Sequence, residues 1–237
     1  MSAPRTELDG KRIAVIAAHP DDEILGCGGT IARHIAAGAT VNVLIVAEGV
    51  TSRTPQRQPK EHVSNLQHLA SSAQVAHQIV GTSQLTLLDF PDNRLDSVDF
   101  LDIVKAVETF IEATAPDTVY THFPHDLNID HRLVSEAVQT ACRPQPGSGI
   151  RKILFFEVPS STGWRMAGPA ASFAPNYFID IEATLKKKLE ALAAYSQEMR
   201  PWPHARSLEA SEHLARWRGA SVGTSAAEAY VLGQYLA

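Results

Sequence analysis

The sequence lacks the features that mark three large classes of protein. Its 237 residues include only two cysteines, Cys27 and Cys142, too few for a zinc finger or a disulfide framework, which indicates a reducing compartment. No stretch of about 18 apolar residues is present, so no membrane span is expected. The N-terminal segment has no apolar region of the secretory kind, and we therefore expect a cytoplasmic protein.

An excess of positive charge is also missing. The formal net charge is -5, which disfavours a nucleic-acid partner because phosphate contacts need a basic face. A small anionic substrate held by one or two arginines stays open. The hydrophobic fraction of 44% and the charged fraction of 20% are typical of a globular protein with a sizeable core. The length suits one α/β domain with elaborations.

Apolar runs alternate with helical patterns over the first two thirds of the chain. Predicted strands cover 12–18, 40–49, 84–90, 116–123 and 152–158, and predicted helices cover 29–38, 59–81, 97–115 and 129–142. Strands that are continuous apolar runs indicate a parallel sheet covered on both faces. We therefore predict a doubly wound, Rossmann-like α/β sandwich of three layers with a mostly parallel sheet.

The pattern changes after residue 157. A long loop precedes a short predicted strand at 177–181 and predicted helices at 182–199 and 208–223. No linker-like change in composition separates this region from the rest. We therefore treat 158–237 as an extension of a single domain that spans 1–237.

The stretch AHPDDEILGCGGT follows the first predicted strand and contains three acids beside a histidine. The imidazole of His19 and the carboxylate of Asp22, three residues later in a tight loop, can converge on one metal ion. His131 follows the fourth strand, and the first and fourth strands of a doubly wound sheet are neighbours. The three side chains form a set of two histidines and one carboxylate, which zinc favours and other divalent ions accept.

Asp21 lies next to a predicted ligand without having to be one. Consecutive loop residues point in different directions, so its carboxylate can face the open metal position and take a proton from water there. Glycines 26, 28 and 29 allow the next helix to approach closely. They also suggest a dinucleotide loop, but GCGGT lacks the G-x-G-x-x-G spacing and the preceding acids would repel a pyrophosphate.

The segments AHPDDEILGCGGTIARHIAAG and DLNIDHR together resemble the PIG-L/LmbE family of metal-dependent N-deacetylases. The resemblance covers roughly 10–157. It implies zinc on His19, Asp22 and His131, Asp21 as general base, and hydrolysis of an acetamide on an amino sugar with release of acetate. Family members are often homo-oligomers, so the resemblance also allows one here.

The chain departs from the family at one position. Many members have a histidine, thought to act as an acid or to stabilise the oxyanion, three residues before the metal histidine, where this chain has Asn128. An amide can donate a hydrogen bond to an oxyanion but cannot deliver the proton that the leaving amine needs. We predict that His204 supplies this proton, with His125 as the second candidate.

Other polar and aromatic side chains follow strand ends or lie on the later loops. Arg53, Asp92, Arg94 and Arg206 can contact sugar hydroxyls or a phosphate, and Trp164 can stack on a sugar face. Solvent exposure or turn formation explains several of them equally well. We also expect Glu157, at the end of the fifth strand, to support a metal ligand.

The sequence therefore predicts a zinc-dependent deacetylase of an N-acetylated amino sugar that is free, glycosidic or nucleotide-linked. Two alternatives stay open. One is a metal-dependent amidase that acts on a sugar–thiol conjugate or another acylated small molecule. The other is a sugar- or nucleotide-binding module without turnover, which would have no use for a base beside an open metal position.

Overall fold

One mixed sheet, with helices packed on both of its faces, forms the centre of the computed structural model, which describes residues 8, 10–168 and 172–237. Within these residues the sheet has seven strands in the order β3-β2-β1-β4-β5-β7-β6. Strands β1 to β5 run parallel, and β7 is antiparallel to both of its neighbours. The predicted fold class is therefore confirmed. Most of the N-terminal segment for which no secretory signal is expected, and part of the predicted loop 159–176, lie outside the described residues.

The elements follow the predicted alternation closely. The strands are β1 Arg12–Ala17, β2 Thr40–Ala47, β3 Gln84–Phe90, β4 Thr118–His122, β5 Lys152–Phe156, β6 Tyr177–Asp180 and β7 Ala227–Tyr235. The helices are α1 Asp22–Ala36, α2 Val63–Val80, α3 Phe100–Thr114, α4 Ile129–Ala141, α5 Leu185–Ala194 and α6 Leu208–Ala220. Among the described residues, none of these helices has the length and apolar character needed to cross a membrane.

The pairing of β1 with β4 is the feature of the sheet that matters most for function. The two strands are parallel, with Ile13 opposite Thr118 and Val15 opposite Tyr120. Both are almost completely buried beyond their first residue, as expected for strands covered on both faces. Their carboxyl ends therefore open at the same edge, as the sequence predicts.

Helix α1 begins at Asp22, well before the predicted start at residue 29. The sequence pattern is misleading here because glycine disfavours helix interiors. Tertiary packing overrides that preference. A methyl group on Gly26 would overlap the ring of Phe156, and one on Gly29 would lie 2.7 Å from Ile181. The glycines thus let α1 pack directly against the sheet, which brings its first turn to the β1–β4 edge.

The region after residue 157 completes the same sheet. Strand β7 lies between β5 and β6, so the apolar C-terminal segment occupies an interior position in the sheet. Helix α5 packs against α1 and α2. Side chains of β6, α5, α6 and β7 share one hydrophobic cluster with β1 and β2.

The close packing of α1 predicts the effect of a small substitution. We expect Gly26→Ala to lower the free energy of unfolding by about 1–3 kcal/mol, because the added methyl group overlaps the Phe156 ring. Helix propensity alone would favour alanine by about 1 kcal/mol, so the sign of the change separates the two effects. Urea unfolding measures it. Gly149→Ala, where an added methyl group contacts nothing, is the control. A more stable Gly26→Ala protein would contradict this account.

Candidate active site

A polar cavity opens at the sheet edge where β1 and β4 end. Its volume is about 280 Å³, and its walls come from the loops after the first four strands and from residues beyond 157. Nine of the twelve predicted site residues line it: His19, Asp21, Asp22, Arg53, Asp92, Asn128, His131, Trp164 and Arg206. The topology thus gathers side chains that are up to 187 positions apart in the sequence, from His19 to Arg206.

Three of these side chains bring one donor atom each to a common point. The Nδ1 atom of His19 lies 3.3 Å and the Nε2 atom of His131 lies 3.1 Å from Oδ2 of Asp22. All three donors lie within 4.8 Å of one another. Ligand atoms about 2.1 Å from a tetrahedral zinc are about 3.4 Å apart. The spacing of this set, which we call the His–Asp cluster, therefore fits a metal ion.

The outward nitrogens of both histidines face carboxylates. Oδ2 of Asp130 lies 3.0 Å from Nε2 of His19, and Oδ1 of Asp126 lies 3.3 Å from Nδ1 of His131. Both aspartates are completely buried. Carboxylates in this position fix the ring orientation and the tautomer of a metal-binding histidine. The second set of contacts therefore supports the same assignment as the donor spacing.

A second trio, His19, Asp92 and Asp130, is also compact enough to bind a cation. Its carboxylates are already occupied. Asp130 accepts hydrogen bonds from the main-chain N–H groups of Asn93 and Leu95, and Asp92 accepts from the main chain and hydroxyl of Ser52. The trio is therefore better suited to holding the His19 ring than to binding a second metal.

The electrostatics of the His–Asp cluster favour positive charge. Burial lowers the pKa of His131, but Asp22 and Asp126 outweigh it and raise the pKa to about 9. Burial also lowers the pKa of His19, but its hydrogen bonds to the carboxylates of Asp130 and Asp22 outweigh this effect and raise the pKa. The pKa of Asp22 is lowered, since both histidines oppose the effect of its burial. A site that stabilises cationic ligands in this way also suits a divalent cation, which replaces their protons.

His122, at the end of β4, packs against the His–Asp cluster. Its ring stacks on that of His131 with centroids 3.9 Å apart, and its Nε2 accepts the main-chain N–H of Ala18. Burial and the neighbouring His131 lower its pKa, which keeps the ring neutral. These contacts suit His122 to orienting the ring of His131.

Asp21 enters the cavity through an unusual backbone conformation. Its φ of 112° lies in the region that favours glycine, at the N-cap of α1. The carboxylate of Glu23 accepts its main-chain N–H, at 3.1 Å, and the same carboxylate accepts the hydroxyl of Tyr195, at 2.7 Å. His77 lies 3.2 Å from Glu23 as well. This buried network stabilises the backbone turn at Asp21 and Asp22.

Asn128 has a structural role at the start of α4. Its side-chain oxygen accepts the main-chain N–H of Asp130, as an N-cap does, and its amide nitrogen donates to Asn93. Within the described part of the chain, the second amide hydrogen of Asn128 is left for another acceptor. The residue lines the cavity, so the position agrees with the predicted hydrogen-bond donor.

The two predicted proton donors lie outside the cavity lining. His204 stands behind Trp164, with ring centroids 5.4 Å apart, and its Nδ1 accepts the main-chain N–H of Arg206. Burial and the nearby arginines lower its pKa. His125 is exposed on the loop before α4 and contacts Phe123. His204 therefore contacts a residue of the cavity lining, Trp164, whereas Phe123, which His125 contacts, is not part of the lining.

The arginines differ in what they contact. Arg53 and Arg206 line the cavity and share the carboxylate of Glu198. Arg206 also lies 3.4 Å from Oδ2 of Asp21. Arg94 instead donates to the carbonyl of Pro55, which braces the loop after β2.

Three acids with clear positions at the site are missing from the predicted set, and one predicted neighbour of the metal lies elsewhere. Asp126, Asp130 and Glu198 contact residues distant in sequence, although Asp126 and Asp130 both lie within the DLNIDHR motif. Glu157 forms a two-point ion pair with Arg218 instead of supporting a metal ligand. The sequence does not show that α6 packs at the end of β5, where its Arg218 binds Glu157.

Comparisons with known proteins agree with this geometry. A family model described as GlcNAc-PI de-N-acetylase matches residues 14–142. The uncharacterized deacetylase YaiS of Escherichia coli is 31% identical over 182 residues, which cover 75% of this chain and 90% of that protein. The diacetylchitobiose deacetylase of Thermococcus kodakarensis is 28% identical over 197 residues, or 80% of this chain and 71% of that protein. The N,N'-diacetylchitobiose deacetylase structure from Pyrococcus horikoshii superposes with a TM-score of 0.74 over 95% of this chain and 85% of that chain, at 18% identity.

The buried network under Asp21 predicts a large effect on stability. We expect Glu23→Ala to lower the free energy of unfolding by about 3–5 kcal/mol, because it leaves buried partners of a carboxylate without their acceptor. Glu190→Ala removes an exposed carboxylate paired with Lys186 and should cost less than about 1 kcal/mol. Urea unfolding of both variants makes the comparison. Equal losses would show that the Glu23 network does not hold the turn.

Proposed function

Because the chain belongs to the GlcNAc-PI de-N-acetylase family, also called PIG-L, we propose that it hydrolyses the N-acetyl group of an amino sugar with the help of a divalent metal. The observation that carries this proposal is the meeting of His19, Asp22 and His131 at one point beside the buried carboxylate of Asp21. The name of the Thermococcus relative includes diacetylchitobiose, which is a sugar of this class.

The residues of the His–Asp cluster would hold the metal. Two imidazole nitrogens and one carboxylate leave an open coordination position and suit zinc, and other divalent ions accept the same set. A metal bound there supplies a Lewis acid that polarises the acetamide carbonyl and makes water a stronger nucleophile. Asp126 and Asp130 contact the outward nitrogens of the two histidines, which would keep the rings turned toward such a metal.

Asp21 is the proposed general base. Its carboxylate is inside the cavity, next to the cluster, and takes one proton from the attacking water as the new C–O bond forms. Nη1 of Arg206, 3.4 Å from Oδ2 of Asp21, holds this carboxylate in place. The carbonyl oxygen becomes negative in the same step, and the free amide hydrogen of Asn128 is a donor on the cavity wall.

The C–N bond then breaks, and the amine must gain a proton as acetate leaves. Asp21 carries the proton it has just taken and lines the cavity, so it can return it. His204 is the second proposed donor, because its ring packs against Trp164, which lines the cavity. Only the second assignment requires the imidazole of His204 for turnover.

Substitution of Asp21 tests the base directly. We expect Asp21→Asn to lower kcat for acetate release from an N-acetylated amino sugar by about 10²–10⁴-fold, because the amide cannot accept a proton. Metal content should stay unchanged, since Asp21 is not in the ligand set. An active Asp21→Asn protein would rule out this base.

Variants at the two histidines follow in the same assay. Near wild-type turnover in both His204→Ala and His125→Ala would assign the return of the proton to Asp21. A loss confined to His204→Ala would assign it to His204.

Metal affinity gives a test that does not depend on activity. We expect Asp126→Asn and Asp130→Asn to weaken zinc binding by about 10–100-fold, because each removes the carboxylate behind a ligand histidine. Titration of the metal-free protein against a chromogenic chelator measures the change. Asp102→Asn, on the exposed side of α3, is the matched control. Unchanged affinity in both buried variants would place the metal elsewhere.

A further inference from the structure

The cationic side chains of the cavity are already neutralised by acids of the protein. Arg53 pairs with Oε1 of Glu198, and Nη1 of Arg206 lies 3.6 Å from Oε2 of the same carboxylate. Arg206 also contacts Asp21 at 3.4 Å. The Glu198 side chain is only 7% exposed, so its ion pairs with the two arginines are part of the cavity wall.

The formal charges of the lining leave no net positive charge for an anion. With His19 and His131 counted as neutral metal ligands, Asp21, Asp22, Asp92 and Glu198 among the described lining residues oppose Arg53 and Arg206. A divalent metal would bring the balance to neutrality and not beyond it. A phosphate group that drew the arginines away would leave a buried glutamate unpaired and facing a second anion, which is costly.

Arginines on the segments that flank the cavity donate to main-chain carbonyls. Arg165 donates to the carbonyl of Asp126, and Arg200 donates to those of Gln197 and Met199. These groups brace the loops on which they lie. They are outside the lining of the cavity.

The wall offers an apolar ring surface in place of a cation. Trp164 lines the cavity and is still 52% exposed, and its ring meets that of His204 at an interplanar angle of 75° with centroids 5.4 Å apart. An indole that is held by a neighbouring ring and is still half exposed is a stacking platform for a flat ring. Its position places that ring beside the polar part of the cavity.

Resting on the deacetylase function proposed above, we propose that the site takes uncharged glycosides of N-acetylamino sugars, with a second ring stacked on Trp164, and discriminates against phosphorylated and nucleotide-linked sugars. The acetamide then lies among the polar groups near the His–Asp cluster. The neighbouring ring, a sugar or an aromatic group, covers the indole.

Four probes test this specificity: the methyl and 4-nitrophenyl glycosides of N-acetylglucosamine, N-acetylglucosamine 1-phosphate, and UDP-N-acetylglucosamine. We expect kcat/KM for acetate release to be highest for the 4-nitrophenyl glycoside and at least about tenfold lower for both phosphorylated sugars. A preference for a phosphorylated sugar would overturn this inference alone. No acetate from any probe, with metal bound, would overturn the proposed function and this inference with it.

A charge variant provides the second test. We expect Glu198→Gln to raise the ratio of kcat/KM for N-acetylglucosamine 1-phosphate to that for the methyl glycoside by about tenfold, because it removes the negative charge that Arg53 and Arg206 share. The ratio cancels any general effect on Asp21 through Arg206. Glu209→Gln, exposed on α6, should leave the ratio unchanged. An unchanged ratio in Glu198→Gln would overturn the charge argument.

A ring variant provides the third test. We expect Trp164→Ala to lower kcat/KM for the 4-nitrophenyl glycoside by about 5–10-fold and to change that for the methyl glycoside much less. Trp217→Ala, 68% exposed on α6 and outside the lining, is the matched control. Equal losses for both glycosides would overturn the stacking role.

Discussion

The parallel pairing of β1 with β4 holds the two parts of the His–Asp cluster together. His19 and Asp22 leave the end of β1, and His131 lies in the first turn of the helix after β4. Neither part alone has enough ligands for a metal, and no local structure joins them across more than a hundred residues of sequence. The position of the cluster is therefore a consequence of sheet topology, and the helix and loop contacts around it serve to refine its geometry.

The cluster carries a high density of buried carboxylates, and the fold compensates for each of them. Buried charge is costly unless it is paired and hydrogen-bonded. Asp130 receives two main-chain N–H groups and an imidazole, Asp126 receives hydroxyl groups and an imidazole, and Glu23 receives a hydroxyl and a main-chain N–H. Many of these donors come from loops. The loops at this edge are thus held by the acids that orient the histidines.

The sequence was informative where the signal is local. Continuous apolar runs located every strand of the parallel part, and the H-P-D-D spacing pointed to His19, Asp21 and Asp22. It was less informative where the answer depends on distant contacts. The glycines of α1 look like a loop until the rings and side chains that they accommodate are in place. Glu198 reaches the cavity only through the packing of the segment after α5, and β7 between β5 and β6 is an antiparallel insertion that strand periodicity does not reveal.

The residues proposed for the reaction and those proposed for substrate selection come from different parts of the chain. The proposed ligands and base come from residues 19–131, within the range matched by the family model. Trp164, Glu198 and Arg206 come from the region after residue 157. Because Arg206 contacts both Asp21 and Glu198, the later region is coupled to the proposed base while it sets the charge of the wall. Changes in that region can therefore alter which sugar is accepted without moving the metal ligands, provided that the contact to Asp21 is kept.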